Sequence, residues 1–296
     1  MIKPNPLKKG DLIEIISPSG KISPDLIDAA VKRLIAEGYK VNIGPHAKGR
    51  YNKFSGTDDQ RHEDLQNALN NPEIKAVLCA RGGYGSMRIM DNLDFTPAVK
   101  QRKWLIGFSD ITALHTAAYL RGMISLHGIM VKNIVTGSDE SVNQFFSILR
   151  GETTTIRTNP HTLNHQGNAS GTLLGGNLSM LFALRGTKYD LNWNNALLFL
   201  EDIEENLYHL DRIMQNLKLG GKFENISALL VGQFTNMLDK EFGKSAYEII
   251  HEAVLDYDFP VVFDVPLGHV DFSLNFLHGA EGEVEVTKKG AFINIH

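Results

Sequence analysis

Cysteine is nearly absent. Cys79 is the only one, so no disulfide can form within the chain and a disulfide-stapled fold is excluded. Long apolar runs are missing too. No strictly apolar run exceeds Ala196–Leu200 in length, far short of the roughly 20 residues a membrane-spanning helix needs. No block of Lys or Arg occurs, and 30 basic residues stand against 34 acidic ones for a net charge of −4. That balance argues against nucleic acid or an anionic membrane as a partner. Residues 1–11, MIKPNPLKKGD, contain no apolar stretch, so no signal peptide is expected. Internal repeats and low-complexity tracts are also absent. Together these absences predict a soluble, cytoplasmic protein. What is present is ordinary globular composition, 43% apolar and 22% charged over 296 residues, enough chain for a sizeable core and two domains.

Strand and helix patterns alternate through the first half. Leu12–Ile16 is a short apolar run that stops at Ser17-Pro18-Ser19-Gly20, a strand and its turn. Ser23 offers an N-cap with Pro24 at the first helical position, and Leu26, Ala29, Ala30, Val31, Leu34 and Ile35 follow at helical spacing. Further strands are predicted at Tyr39–Ile43, Ala76–Ala80 and Trp104–Gly107. Helices are predicted at Asp58–Leu69, Ser86–Met90 and Ile111–Leu120, with a loop over residues 45–57. Residues 151–176, rich in Thr, Asn, Gly and His, read as a linker or a change of domain. Beyond them, strands at Ala196–Leu200, Ala228–Phe234 and Val261–Val265 mix with helices at Asn177–Leu184, Glu204–Leu219 and Ser245–Leu255, before a β-rich tail over 273–295. The expected fold is therefore α/β. Residues 1–158 form a doubly wound, mostly parallel sheet domain, and residues 159–296 a second domain of mixed strands and helices.

Several strand ends carry residues capable of chemistry. In Gly107-Phe108-Ser109-Asp110-Ile111-Thr112 a serine falls between a strand and a helix. Its hydroxyl would meet the N–H groups and positive dipole of the helix start, which favour developing negative charge. Position 111 is Ile, so this is not the G-x-S-x-G elbow, and Ser and Asp are also ordinary N-caps. Arg81-Gly82-Gly83-Tyr84-Gly85 follows a buried strand and can turn backbone N–H groups toward an anion, or can simply be a tight turn. Glu201 closes an apolar strand, and His269 lies just past another in Pro266-Leu267-Gly268-His269. A nucleophilic serine needs a base such as His, and that His needs an acceptor to fix its tautomer. Ser109, His269 and Glu201 supply those types, though sequence spacing does not place them together. His161 and His165 are four apart in an Asn/Thr-rich segment, with no H-E-x-x-H and no cysteine cluster. No metal and no cofactor is expected. Cys79 reads as a core residue.

Taken in order, the segments resemble the LD-carboxypeptidase family of serine peptidases, the muramoyltetrapeptide carboxypeptidases. The resemblance rests on Gly10-Asp11 through Ser17-Pro18-Ser19-Gly20, Arg81-Gly82-Gly83-Tyr84-Gly85 and Gly107-Phe108-Ser109-Asp110. It continues with Gly175-Gly176-Asn177-Leu178, with Leu200-Glu201-Asp202 followed by Tyr208 and Asp211-Arg212, and with Pro266-Leu267-Gly268-His269. It implies that the second domain, residues 159–296, is a smaller, β-rich α/β domain. It implies a triad of Ser109 as nucleophile, His269 as base and Glu201 as its orienting acid. It also implies an oxyanion hole of backbone N–H groups from Gly83, or alternatively Gly82, and from Asp110. The implied activity removes the terminal D-alanine of a murein tetrapeptide during cell-wall recycling, so the partner is a small muropeptide and the assembly a homodimer. Arg81 is a candidate for the substrate carboxylate, with a structural role equally open. One departure is Ile129 in His127-Gly128-Ile129-Met130, where the family pattern has proline. That leaves the local loop shape open. Two other readings stand beside this one: a relative of the microcin C immunity peptidases, which cut acyl-sulfamoyl-adenylates with the same triad, and a non-catalytic module that binds a small anion at the glycine turn.

Overall fold

Strand β1 (Leu12–Ile16) lies where the apolar run places it. Helix α1 (Pro24–Ala36) starts after Ser23, turns Ile27, Ala30 and Leu34 inward, and leads to β2 (Lys40–Ile43). Then come α2 (Asp58–Asn70), opened by a Thr57–Gln60 capping box, β3 (Ile74–Cys79), α3 (Ser86–Ile89), α4 (Thr96–Gln101) and β4 (Trp104–Gly107). They are followed by α5 (Thr112–Leu120), β5 (Ser125–His127), α6 (Val131–Thr136) and α7 (Asp139–Leu149). The computed structural model describes residues 1–296, apart from the side chain of Lys240. Two compact units make up the chain: Met1–Glu152 with Asp271–Gly279, and Thr153–Val270 with Ala280–His296.

The first unit is built on a six-stranded sheet, whose outermost member β11 (Phe276–His278) comes from late in the chain; its order is β11-β5-β4-β3-β1-β2. All pairs are parallel except β11 with β5. Parallel strands are covered on both faces and therefore read as continuous apolar runs. Accordingly β4 is buried at every position. The turns Ser17–Gly20, Arg81–Gly85 and Phe108–Ser109 follow the carboxyl ends of β1, β3 and β4, the edge where open α/β sheets bind ligands.

The second unit contains β6 (Thr154–Thr158), β7 (Gly167–Asn177), α8 (Leu178–Ala183), β8 (Ala196–Ile203), α9 (Leu207–Leu219), β9 (Ala228–Thr235), α10 (Ala246–Val254) and β10 (Val261–Val262). Strands β12 (Glu281–Thr287) and β13 (Gly290–Ile295) complete its seven-stranded sheet, in the order β10-β9-β8-β7-β12-β13-β6. Strands β7 to β10 are parallel, and β12, β13 and β6 join antiparallel. Two stretches depart from the sequence expectation. Residues 153–158, read with the first domain, supply the edge strand β6 of the second sheet, while residues 271–279, read with the second, supply β11 of the first. Residues 151–176, expected as a linker or a change of domain, do include the boundary between the units, but they also contain most of the eleven-residue strand β7, in the middle of its sheet. Its glycines are there for close approach. A Cβ on Gly175 would lie 1.9 Å from the Phe199 carbonyl oxygen, and one on Gly171 2.1 Å from that of Asn195.

Candidate active site

In the first unit, β4 ends at Gly107, Phe108 is extended, and the chain turns at Ser109 into a short 3-10 segment that continues as α5. Ser109 has φ of 63°, in the left-handed region that a non-glycine residue rarely occupies. Such backbone costs on the order of 1–3 kcal/mol and persists where the surroundings over-determine it. A strained strand-to-helix turn is thus present at Ser109 without the second glycine of G-x-S-x-G. Ile111, at that position, is fully buried. It fills the space that Gly107 leaves, since a Cβ on Gly107 would lie 2.9 Å from its side chain.

The glycine turn packs directly against the serine. A Cβ on Gly82 would lie 2.9 Å from Ser109 Cβ, 3.0 Å from its Oγ and 3.3 Å from the Asp110 nitrogen. Gly83 and Gly85 have φ of 103° and 133°, which glycine alone tolerates readily. Asp110, almost wholly buried, ties the turns together. Its Oδ2 accepts from Ser19 Oγ at 2.5 Å and from the Ser86 N–H at 2.8 Å, and its carbonyl accepts from Ser86 Oγ at 2.6 Å. Gly20 N–H donates to the Gly82 carbonyl at 3.1 Å. Arg81 is exposed and donates from Nη1 to the Lys21 carbonyl at 3.0 Å.

In the second unit, Glu201 sits within β8, fully buried. The strand does not stop at Leu200 as expected; it carries Glu201 and Asp202 inside the sheet, with a register irregularity against β9 at that point. His269 Nδ1 lies 2.7 Å from Glu201 Oε2, and the imidazole is 19% exposed. Gly268 permits the approach: its φ is 130°, and a Cβ there would lie 3.1 Å from Glu201 Cβ. A carboxylate only accepts, so Nδ1 carries the proton and Nε2 is the basic atom of the neutral ring. Burial presses the His269 pKa down, but the charge of Glu201 and the hydrogen bond to it, helped by Asp202 and Glu204, outweigh burial and leave it above the ordinary value.

Asp202 is pushed up to about 6 by burial and then by the Glu201 charge. It accepts from Asn177 Nδ2 and the Ser179 N–H and Oγ, and so fixes the start of α8. The structure therefore gathers Ser109, Asp110 and the glycine turn in one unit and Glu201 with His269 in the other. Sequence reading gave Asp202, Ser86 and Gly268 no role. Only their places beside Glu201, in the turn after the glycines and before His269 could have drawn notice.

Such features define a class of protein: α/β, with a serine on a strained elbow and a buried carboxylate–imidazole pair. The chain belongs to the LD-carboxypeptidase family of peptidase hydrolases. Residues 13–128 match the LD-carboxypeptidase N-terminal domain and residues 170–284 the LD-carboxypeptidase C-terminal domain. It is 34% identical to the probable murein peptide carboxypeptidase of Bacillus subtilis, over 98% of this chain and 94% of that one. It is 31% identical to the murein tetrapeptide carboxypeptidase of Pseudomonas aeruginosa, over 87% of each. The crystal structure of muramoyltetrapeptide carboxypeptidase from Oxalobacter formigenes superposes with a TM-score of 0.88 at 27% identity, covering 96% of this chain and 98% of that one. The microcin C7 self immunity protein MccF shares the fold, with a TM-score of 0.89 at 22% identity over 100% and 98% of the two chains.

Proposed function

We propose that this protein is a serine carboxypeptidase that removes the terminal D-alanine from murein tetrapeptides. The observation that carries the serine mechanism is the His269–Glu201 contact of 2.7 Å, because it fixes the tautomer in which Nε2 can take a proton. Ser109 Oγ attacks the carbonyl carbon of the penultimate residue, and His269 Nε2 takes the hydroxyl proton. The carbonyl oxygen gains negative charge and accepts from the backbone N–H groups of Gly83 and Asp110, with Gly82 as the alternative to Gly83. The intermediate collapses as His269 returns the proton to the departing D-alanine amine. Water then attacks the acyl-enzyme by the same route and releases the shortened peptide with Ser109 restored. Glu201 holds the ring and stabilises the imidazolium formed in each half.

Arg81 is proposed to meet the substrate's terminal carboxylate. Its bond to the Lys21 carbonyl uses one of a guanidinium's five donors. In this reading the enzyme works in the cytoplasm, as a homodimer, on muropeptides recovered from the wall; the family resemblance supports each point. The test is incubation of the purified protein with murein tetrapeptide and with an acyl-sulfamoyl-adenylate, followed by mass analysis. Loss of one alanine from the tetrapeptide is expected. An intact tetrapeptide with a cleaved adenylate would replace this reading with the immunity-type activity, and two intact compounds would favour a binding module.

A further inference from the structure

We propose that His115 is a positioning residue for the nucleophile: its imidazole clamps the Gly107 carbonyl and so holds the strained turn that presents Ser109. The inference rests on the serine reading and concerns a residue that reading does not use. His115 is wholly buried on α5, the helix that continues from the Ser109 turn. Its Nε2 lies 2.8 Å from the Gly107 carbonyl oxygen and its Nδ1 2.8 Å from Ser125 Oγ. A carbonyl only accepts, so Nε2 carries the proton and Nδ1 takes the Ser125 hydroxyl's hydrogen.

The helix thus sends a side chain back to the residue that precedes the turn, closing a loop with Ser109 inside it. The Gly107 carbonyl also accepts from the Gly128 N–H at 3.0 Å, so the peptide before Phe108 is gripped from two sides. Ser109 needs such a grip, because φ of 63° is held only by its surroundings. The bonds of Asp110 to Ser19 and Ser86 restrain the helix side of the turn; His115 restrains the strand side.

Histidine suits this place for a specific reason. The site requires one donor and one acceptor, in full burial, without charge. Burial pushes the His115 pKa down to about 4 against the bond to Gly107, so the ring is neutral wherever His269 changes charge. A lysine or arginine would bring an uncompensated charge into the core. The ring plane is fixed by His278, stacked at 5.8 Å and 22°, and by His127 at 6.0 Å.

The test combines spectroscopy with kinetics on the full chain. Imidazole nitrogen-15 shifts between pH 6 and 8 should show His115 as the Nε2–H tautomer. His115→Phe fills the volume without the donor; its kcat should fall roughly 10- to 100-fold, the cost of a small misplacement. KM should stay within about twofold, and the acid-side midpoint of the pH profile should not move, because His269 keeps its own partners. His115→Gln, which can donate to the carbonyl, should regain part of the kcat. If His115→Phe does not fold, His115→Leu, which also lacks the donor to the Gly107 carbonyl, serves instead and should show a similar fall in kcat. A dominant Nδ1–H tautomer in the wild type, or wild-type kcat in His115→Phe or His115→Leu while Ser109→Ala is dead, overturns the clamp alone. Full activity in Ser109→Ala overturns the serine reading and the clamp with it.

Discussion

Replacing Ser109 with alanine removes one oxygen atom from a turn already held at φ of 63°, and leaves the backbone strain as it was. The fold should survive, and if Ser109 is the nucleophile proposed, kcat should drop on the order of 10⁴–10⁶-fold. A variant retaining more than about a tenth of the wild-type rate would remove Ser109 as the nucleophile. The second expectation at this scale concerns charge. In the proposed mechanism His269 must be neutral to accept the Ser109 proton, so kcat/KM should fall on the acid side through one ionisation. Because Glu201, Asp202 and Glu204 outweigh burial, the midpoint should lie above the unperturbed value of about 6.5. Glu201→Gln removes the nearest of those charges and lets burial dominate. The midpoint should move down while kcat falls by about 10³–10⁴, since an amide can hold the wrong tautomer. A flat profile from about pH 5 to 9 in the wild type would contradict a histidine base. Ser109, Glu201 and His269 could be singled out in the sequence because each stands next to a readable strand. The Glu201–His269 contact could not, because it joins residues 68 positions apart through a strand pairing that no local pattern encodes.

The elements show why some of the chain was legible and some was not. β1 and β4 fall where the apolar runs put them, since a parallel strand covered on both faces is written as a continuous apolar stretch. β7 defeats the same logic: Gly167-Asn168-Ala169-Ser170-Gly171 reads as linker, yet glycine is required there for the neighbouring backbone to approach. Likewise β8 was expected to stop at Leu200, because a buried carboxylate inside a strand looks unfavourable until its histidine is known. Close approach also yields a prediction. Gly82 lies outside the positive-φ region, so alanine fits its backbone, but the added Cβ would lie 2.9 Å from Ser109 Cβ. Something must yield, and the elbow is what it presses on. Gly82→Ala should reduce kcat by about 10- to 100-fold, with a stability loss of only about 1–3 kcal/mol. Kinetics and urea denaturation on the same preparation check this. Unchanged kcat would mean that the glycine turn does not set the position of the serine.

Across the whole molecule, the two units hold buried titratable groups that respond to acid in opposite ways. The first unit carries His115, lowered to about 4, and His278, lowered well below its ordinary value, both by burial first. The unfolded chain binds protons at these sites before the folded unit does, so folded stability falls as pH drops below about 6.5. For His115 alone the loss is about 2 kcal/mol by pH 5, at roughly 1.4 kcal/mol for each pH unit below 6.5. Glu14, raised by burial, opposes this weakly. The second unit carries Asp202, raised to about 6, and His269, raised by its carboxylates. Both bind protons more readily when folded. Their contribution is therefore present at low pH and lost as pH rises through their folded values. Asp202 should add about 1 kcal/mol of stability between pH 6 and pH 5, while His165, lowered by burial, takes back part of it. Acidification from pH 7 to 5 should consequently loosen the first unit before the second. Hydrogen exchange resolved by peptide, corrected for the intrinsic rate at each pH, reads this directly: protection over β4 and α5 should drop, while that over β8 and α9 holds or rises. Asp202→Asn removes part of the counterweight and leaves His269, so protection over β8 and α9 should gain less, relative to the wild type, as pH falls from 6 to 5. If β8 and α9 lose protection first in the wild type, the buried histidines do not govern acid stability.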